Sequence, residues 1–153
     1  SDIGDEGTLE WTPLMEDRVM AVLPHDHPRA EDPDLTLADL ATDPWIAGCE
    51  RCRANLISNA RKAGFSPTVR HSTDDTIVVQ QLIMHGGGVA LIPEIALEAA
   101  PPADLVVRAL PDLDNRMIGL LNRRGALAIP AVGALRDALM AETTGRLATA
   151  VMM

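Results

Sequence analysis

Aromatic side chains are nearly absent from this chain. Trp11, Trp45 and Phe65 are the only aromatic residues, and there is no tyrosine. Stacking platforms for nucleic-acid bases and aromatic cages for organic cations both depend on such side chains. The composition therefore argues against both kinds of site.

Cysteines and long apolar runs are also scarce. Cys49 and Cys52 are the only cysteines, too few for a disulfide framework or a four-thiolate zinc site. No signal-peptide-like segment opens the chain, no apolar run reaches membrane length and no internal repeat is visible. These absences predict a soluble, cytoplasmic protein without membrane contact, and no residue pattern indicates a cofactor.

Acidic residues are concentrated in the first third of the chain. The formal net charge is -9, which argues against a nucleic-acid-binding surface. Residues 1–50 hold 13 acidic and two basic side chains, a net charge of -11, whereas residues 51–153 hold nine and 11, a net charge of +2. Any anionic ligand is therefore expected to meet the later part of the chain.

What the chain does contain suits a globular α/β protein. Hydrophobic residues make up 47% and charged residues 23% of 153 residues, enough apolar material for one domain or two lobes of one domain. Apolar strands alternate with amphipathic helices, which predicts an α/β fold with mainly parallel pairing. The predicted strands are residues 18–23, 45–47, 68–71, 89–92, 105–110 and 117–121, and the predicted helices are 37–41, 53–63, 76–85, 94–99 and 130–143.

Local signals mark several helix ends. Thr36 is expected to cap the first helix, with Asp39 completing a shortened capping box. Gly64 is placed to end the second helix, and Thr73 or Asp74 to cap the third. The glycines 86–88 follow a helix and precede a strand, the reverse of a phosphate-binding loop, and indicate backbone freedom at a helix end.

Several segments match one family pattern in order and spacing. Together they cover roughly residues 13–139 and resemble the effector-binding domain of LysR-type transcriptional regulators. The segments are 23–28 (LPHDHP), 37–40 (LADL) followed by 43–46 (DPWI), 63–67 (AGFSP) and 86–93 (GGGVALIP).

The resemblance implies a type 2 periplasmic-binding-protein fold, in which two α/β lobes enclose a small-molecule cleft. It implies a complete lobe II and a partial lobe I, because the family's winged helix-turn-helix, linker helix and first half of lobe I have no counterpart here. The expected organisation is a disordered segment or expression remnant at 1–12, a lobe I strand and crossover at 13–31, lobe II at 32–98, a return to lobe I at 99–143 and a C-terminal tail at 144–153.

Two strand-to-helix loops are the expected effector site, because helix N-termini offer free N–H groups to anions. The family's matching loops often contact the effector. In the first loop the candidates are Gly48, Cys49, Arg51 and Arg53, the arginines as donors to a carboxylate or phosphate. The alternative is that both arginines are simply solvated. In the second loop the candidates are Thr73 and Asp74, with helix capping as the alternative role.

Cys49 and Cys52 form a C-x-x-C sequence just before a helix. The helix dipole and nearby arginines would lower a thiol pKa there, which suggests a redox-sensing pair. A metal-responsive site with His71 or His85 as further ligands is a second possibility, and simple packing of two small side chains is a third.

These observations predict an effector-sensing domain of a LysR-type transcriptional regulator that binds a small, anionic metabolite. Its expected partners are that effector, further copies of itself in a dimer or tetramer, and DNA through a winged helix-turn-helix outside this sequence. No acid–base or nucleophile arrangement is present, so an enzyme is not expected. The alternatives are a thiol- or metal-responsive regulator, or a solute-binding protein or enzyme on the same fold.

Overall fold

Short strands and helices alternate along the chain and assemble into two units. The computed structural model describes residues 8–151, with side chains described to residue 145. The large unit is Asp17–Asn115, and the small unit comprises the described residues 8–16 and 116–151.

The described residues form seven strands and four α-helices, together with 3-10 helices at Leu37–Leu40 and Ala126–Ala128. The strands are β1 Leu9–Asp17, β2 Val19–Pro24, β3 Pro44–Ala47, β4 Thr68–Ser72, β5 Ala90–Pro93, β6 Leu105–Ala109 and β7 Arg116–Arg123. The helices are α1 Glu50–Lys62, α2 Thr76–Met84, α3 Glu94–Ala99 and α4 Pro130–Val151.

The sheet of the large unit mixes both strand directions. Strand β2 lies between β5 and β6 and is antiparallel to both, whereas β3 and β4 are parallel. A parallel bridge between Trp45 and Val89 connects these two groups, since Val89 donates to Pro44 O and Ile46 donates to Val89 O, each at 2.9 Å. The expected predominance of parallel pairing is therefore wrong for β2.

Strand β2 is apolar throughout because both of its faces are covered. Ala21 and Leu23 pack in one core cluster, with Trp45 and Leu56 of α1. Met20 and Val22 face the other way and belong to a second cluster with side chains from α2 and α3. A continuous apolar sequence indicates a strand that is buried on both faces, but it does not indicate whether that strand is parallel or antiparallel to its neighbours.

Local signals act as the sequence suggests at two helix ends. The amide and hydroxyl of Thr36 both donate to the Asp39 carboxylate at 2.9 Å. The Thr36 amide, and then its hydroxyl, lower the pKa of Asp39. Gly64 follows α1 with a φ of 89°, a left-handed conformation that glycine adopts without strain.

The small unit pairs β1 with β7 and continues into α4. Gly119 permits the strands to approach, because a Cβ there would lie 2.4 Å from the Trp11 ring. None of the side chains described in this unit is buried.

The boundaries of these elements and units differ from several expected ones. The large unit is wider than the expected lobe of residues 32–98, because β2 and β6 are hydrogen-bonded within its sheet. Residues 1–7 of the expected disordered segment lie outside the described residues, whereas 9–12 belong to β1. The C-terminal helix continues through most of the expected tail, to Val151.

Candidate functional site

The two predicted loops lie side by side at one edge of the large unit's sheet. Strands β3 and β4 are parallel neighbours, so the loops that follow them emerge at the same edge. The Thr73 amide donates to Ala47 O at 3.0 Å and joins the second loop to the end of β3.

A cleft of about 70 Å3 opens between these loops. Four of the six predicted effector-binding residues line it, namely Gly48, Cys49, Thr73 and Asp74. The structure adds lining residues that the loops alone did not indicate: Ile46, Cys52, Thr76, Val79, Leu91, Ile92 and Pro93.

The added lining residues are mostly apolar, and strand pairing places several of them at the cleft. Leu91, Ile92 and Pro93 come from β5, and Val89, the residue just before β5, is bridged to β3. In the sequence they belong to the segment 86–93, which carried the family resemblance but no assigned role. Their position depends on long-range pairing, so spacing along the chain could not reveal it.

Arg51 and Arg53 are exposed on the first turn of α1 and do not line the cleft. Helix α1 begins at Glu50, three residues before the predicted start. Because each residue turns a helix by about 100°, that shift changes which way the first-turn side chains point. Neither arginine has an ion-pair partner among the described residues.

Helix α2 is capped by Asp75, and the expectation of Thr73 or Asp74 as the cap is wrong. The Asp75 carboxylate accepts from the amides of Ile77 at 2.8 Å and Val78 at 3.3 Å. Thr73 Oγ1 accepts from the Asp75 amide at 3.3 Å, which orients the capping residue. Asp74 makes no hydrogen bond to the helix and lines the cleft instead.

The two cysteines meet at the N-terminus of α1. Their sulfur atoms lie 3.1 Å apart, and no disulfide bond joins them. Cys49 is the N-cap residue, although it makes no capping hydrogen bond through its side chain. The hydrogen bond to Cys52 lowers the pKa of the Cys49 thiol, and the first-turn amides and the charge of Arg51 act in the same direction.

Gly48 sets the position of Cys52. A Cβ at position 48 would lie 2.9 Å from Cys52 Cβ and 3.3 Å from its sulfur. The Cys52 side chain therefore occupies the space that Gly48 leaves free. A larger residue at position 48 would displace Cys52 from the wall of the cleft.

No metal centre forms among the described residues, because no three potential ligand side chains come together there. Nδ1 of His85 lies 2.8 Å from Gln81 O in its own helix. Neither His85 nor His71 joins the cysteine pair in a ligand group. In the described part of the chain, no helix combines the length and hydropathy needed to cross a membrane.

Comparison with known proteins agrees with this architecture. The family model of the LysR substrate binding domain matches residues 2–144. The chain belongs to this LysR family.

Among curated relatives, the HTH-type transcriptional regulator MetR of Salmonella typhimurium is 31% identical over 109 residues, which cover 70% of this chain and 34% of MetR. The RuBisCO operon transcriptional regulator of Allochromatium vinosum is 27% identical over 140 residues, covering 88% of this chain and 46% of that protein. The LysR-family chain thus spans less than half the length of these relatives.

Solved structures show the same fold at low sequence identity. The effector binding domain of QuiR in complex with shikimate has a TM-score of 0.75 at 20% identity, covering 95% of this chain and 70% of that one. The regulatory domain of CcmR from Synechocystis, in complex with 2-PG, has a TM-score of 0.78 at 18% identity, covering 92% and 70%. The LysR-family domain described here therefore has the periplasmic-binding-protein-like fold.

Proposed function

We propose that this chain is the effector-sensing part of a LysR-type transcriptional regulator and binds a small, anionic molecule in the cleft of the large unit. The observation that carries the proposal is the meeting of Gly48, Cys49, Thr73 and Asp74 around one cleft. The family match and the ligand-bound neighbours support a binding role rather than a catalytic one.

The two helix N-termini at the cleft offer different chemistry. Asp75 already accepts from the first amides of α2, so that end has fewer free donors for a ligand. Helix α1 has no side-chain cap, and its first internal bond runs from Arg53 N to Cys49 O. The N-terminus of α1 also carries the positive end of the helix dipole, so this end suits an anion.

The ligand class follows from this asymmetry. A carboxylate or phosphate would lie toward the N-terminus of α1, where Arg51 and Arg53 add positive charge without lining the cleft. Thr73 and Asp74 on the other side of the cleft suit a hydroxyl or amino group on the same molecule. We therefore expect a small acid that also carries a hydrogen-bond donor.

In the whole regulator, ligand binding would shift the balance between conformations that differ in their affinity for the effector. The effect of the ligand on DNA binding would depend on a winged helix-turn-helix domain and on the assembly of several copies of the protein in the cytoplasm. The large unit would serve as lobe II and the small unit as part of lobe I.

Titration calorimetry of the full-length protein against carboxylates, phosphorylated acids and neutral sugars tests the proposal. We expect binding of an acid and no binding of neutral sugars. Substitution of Arg51 or Arg53 by Gln should weaken that binding about twofold, because these side chains add charge at the first turn of α1 but do not line the cleft. Arg61→Gln is the matched control, because Arg61 is also exposed on α1 but lies in its last turn.

Two results would contradict the proposal. One is the absence of binding by any acid in the panel. The other is an equal loss of affinity in Arg51→Gln and Arg61→Gln, which would mean that general surface charge, rather than the cleft, attracts the ligand.

A further inference from the structure

The cysteine pair has a geometry that ligand binding does not require. The sulfur atoms of Cys49 and Cys52 are 3.1 Å apart, whereas a disulfide bond is about 2.05 Å long. Both side chains line the cleft, and Cys49 is exposed. Two buried cysteines in a core would be inert, but this pair can be reached from solvent.

We propose that Cys49 and Cys52 form a reversible intrachain disulfide when the protein meets a hydroperoxide, and that this reaction tunes the cleft. The Cys49 thiolate attacks the peroxide O–O bond, becomes a sulfenic acid and releases water or an alcohol once the leaving oxygen takes a proton. The Cys52 sulfur then displaces hydroxide from Cys49, and the S–S bond forms as a second water leaves. The two thiols lose two electrons and two protons, and the peroxide is reduced.

The surroundings assign the two roles. Cys49 is exposed at the N-cap of α1, where the Cys52 thiol, the first-turn amides and Arg51 stabilise its thiolate and lower its pKa. Cys52 is half-buried against Gly48, so peroxide reaches it less readily. Cys49 is therefore the attacking thiol and Cys52 the resolving thiol.

A structural metal site does not explain the pair. A zinc ion bound by protein alone needs four ligands, and no group of three potential ligands exists among the described residues. Disulfides are uncommon in reducing compartments, and those that occur there are usually transient. A solvent-accessible pair beside a binding cleft fits that transient use.

The expected effect of the disulfide on ligand binding in the cleft rests on the proposed function. At a pH above the pKa of the Cys49 thiol, its thiolate places a negative charge at the helix end that we expect to receive an anion. Disulfide formation removes this charge. Oxidation should therefore strengthen anion binding, by about threefold or more for one charge near a partly solvated site.

Peptide mass spectrometry of the full-length protein tests the chemistry. The protein is first reduced and freed of reductant. It is then exposed to one equivalent of hydrogen peroxide and labelled with N-ethylmaleimide. Finally, the mass of the peptide containing residues 49–52 is measured. We expect this peptide to lose 2 Da and bind no label, and dithiothreitol to restore two labelled thiols. Because residues 1–153 contain only these two cysteines, any disulfide within this segment joins Cys49 to Cys52.

Single variants separate the two roles. Cys52→Ser should stop at a sulfenic acid on Cys49 that dimedone traps, since the resolving thiol is missing. Cys49→Ser should react with peroxide at least about tenfold more slowly, because the remaining thiol is half-buried and lacks the same stabilisation. In wild type, the pH midpoint for alkylation of Cys49 should lie below about 8.5, the value of a free thiol. Circular dichroism of each variant verifies folding.

Several outcomes overturn the thiol proposal. The first is that both thiols are still labelled after peroxide treatment, and the second is that disulfides form only between chains. The third is that sulfinic acids appear without the loss of 2 Da. The fourth is that Cys49→Ser and Cys52→Ser react with peroxide at the same rate. A Cys49 alkylation midpoint at or above that of a free thiol would also contradict it.

A final titration with inorganic phosphate separates this proposal from the effector proposal. Tighter phosphate binding by the oxidised form than by the reduced form supports the coupling. If the disulfide forms but affinity is unchanged or falls, the coupling is wrong and the thiol site stands. The effector proposal is judged separately by its panel of acids, which requires no oxidation.

Discussion

Asp74 and Asp75 are adjacent in sequence, but they have different surroundings. The Asp75 carboxylate holds two amides at the start of α2, whereas Asp74 makes no such bond and lines the cleft. At the residue scale, one position therefore serves stability and the next is available to a ligand. Position relative to the helix start decides between these roles, because only the N-cap side chain reaches the second and third helical amides.

Substitution of these two residues should separate stability from binding. Asp75→Ala should lower the free energy of unfolding by about 1 kcal/mol, the usual value of an N-cap, and Asp75→Asn should restore most of it. Asp74→Ala should change stability by less than about 0.5 kcal/mol. Urea denaturation followed by circular dichroism measures all three. Equal destabilisation by Asp74→Ala and Asp75→Ala would contradict this assignment.

At the element scale, the glycines 86–88 connect α2 to β5 through three different constraints. Gly86 has a φ of 77° with open space around its Cα. Gly87 lies close to Leu82 O, which a Cβ would approach to 2.7 Å. Gly88 has a φ of 139°, and a Cβ there would lie 2.1 Å from Pro44 O, the atom that accepts from Val89. The expected backbone freedom is confirmed, but Gly88 is also needed for the bridge that joins β3 to β5.

Alanine at Gly86 and at Gly88 should therefore have unequal effects. Gly86→Ala should cost about 1–2 kcal/mol, the price of a left-handed backbone alone. Gly88→Ala should cost about 3 kcal/mol or more, because the new methyl group cannot fit without displacing Pro44. Thermal unfolding of both variants tests the comparison, and a similar loss in each would show that the close approach is absent in solution.

Helix α3 is held to the junction between β1 and β2. Ile95 donates to the buried Asp17 carboxylate at 3.1 Å, and Arg18 binds Glu94 through two hydrogen bonds of 2.5 and 3.0 Å. The hydrogen bonds from Arg18, together with its charge, lower the pKa of Glu94. A carboxyl with a lower pKa in the folded state adds stability above its unfolded pKa and loses it as the pH falls through the folded value.

Glu94→Gln should therefore destabilise the protein at pH 7 but not in acid. The Arg18 side chain is 55% exposed, so we expect a loss of less than about 1 kcal/mol at neutral pH. The difference from wild type should disappear well below pH 4, where both proteins are uncharged at this position. Denaturant unfolding at a series of pH values measures it, with the exposed Glu31→Gln as control. A constant difference down to pH 2 would contradict the ion-pair explanation.

At the scale of the whole molecule, burial is very uneven. Both hydrophobic clusters lie within the large unit, between Met20 and Leu110. The small unit has no buried side chain among those described, and it exposes Trp11, Met117 and Leu121 on its strands. Regions with few buried apolar groups open at low free-energy cost.

Hydrogen exchange should show this contrast directly. Amides of β2 and β3 should exchange near the rate set by global unfolding, whereas those of β1 and β7 should exchange at least about a hundredfold faster. Mass spectrometry of peptides after timed exchange in deuterated buffer measures both units in one sample. Uniform protection across the chain would mean that the small unit gains stability from contacts beyond its own described side chains.

The sequence by itself determined the order and type of most elements. Apolar runs and helical periodicity placed β2 to β7 and all four α-helices, mostly within one to three residues at their starts, because these signals are local. Strand β1 was missed, since its side chains are half-exposed or exposed along most of its length and no clear alternation marks it. The motifs also led to the family and to both loops of the site.

Only the tertiary structure decided how these parts meet. Pairing made β2 antiparallel to its neighbours and brought β5 to the cleft, whereas the start of α1 at Glu50 placed the two cysteine sulfurs 3.1 Å apart and left Arg51 and Arg53 outside the lining. The structure also explains what one of the few aromatic residues does. Trp45 is fully buried and stacks with Phe65 in the core, so its ring cannot hold a ligand. The type of an element follows from residues close together in the sequence, whereas strand direction and the lining of the cleft depend on segments far apart in it.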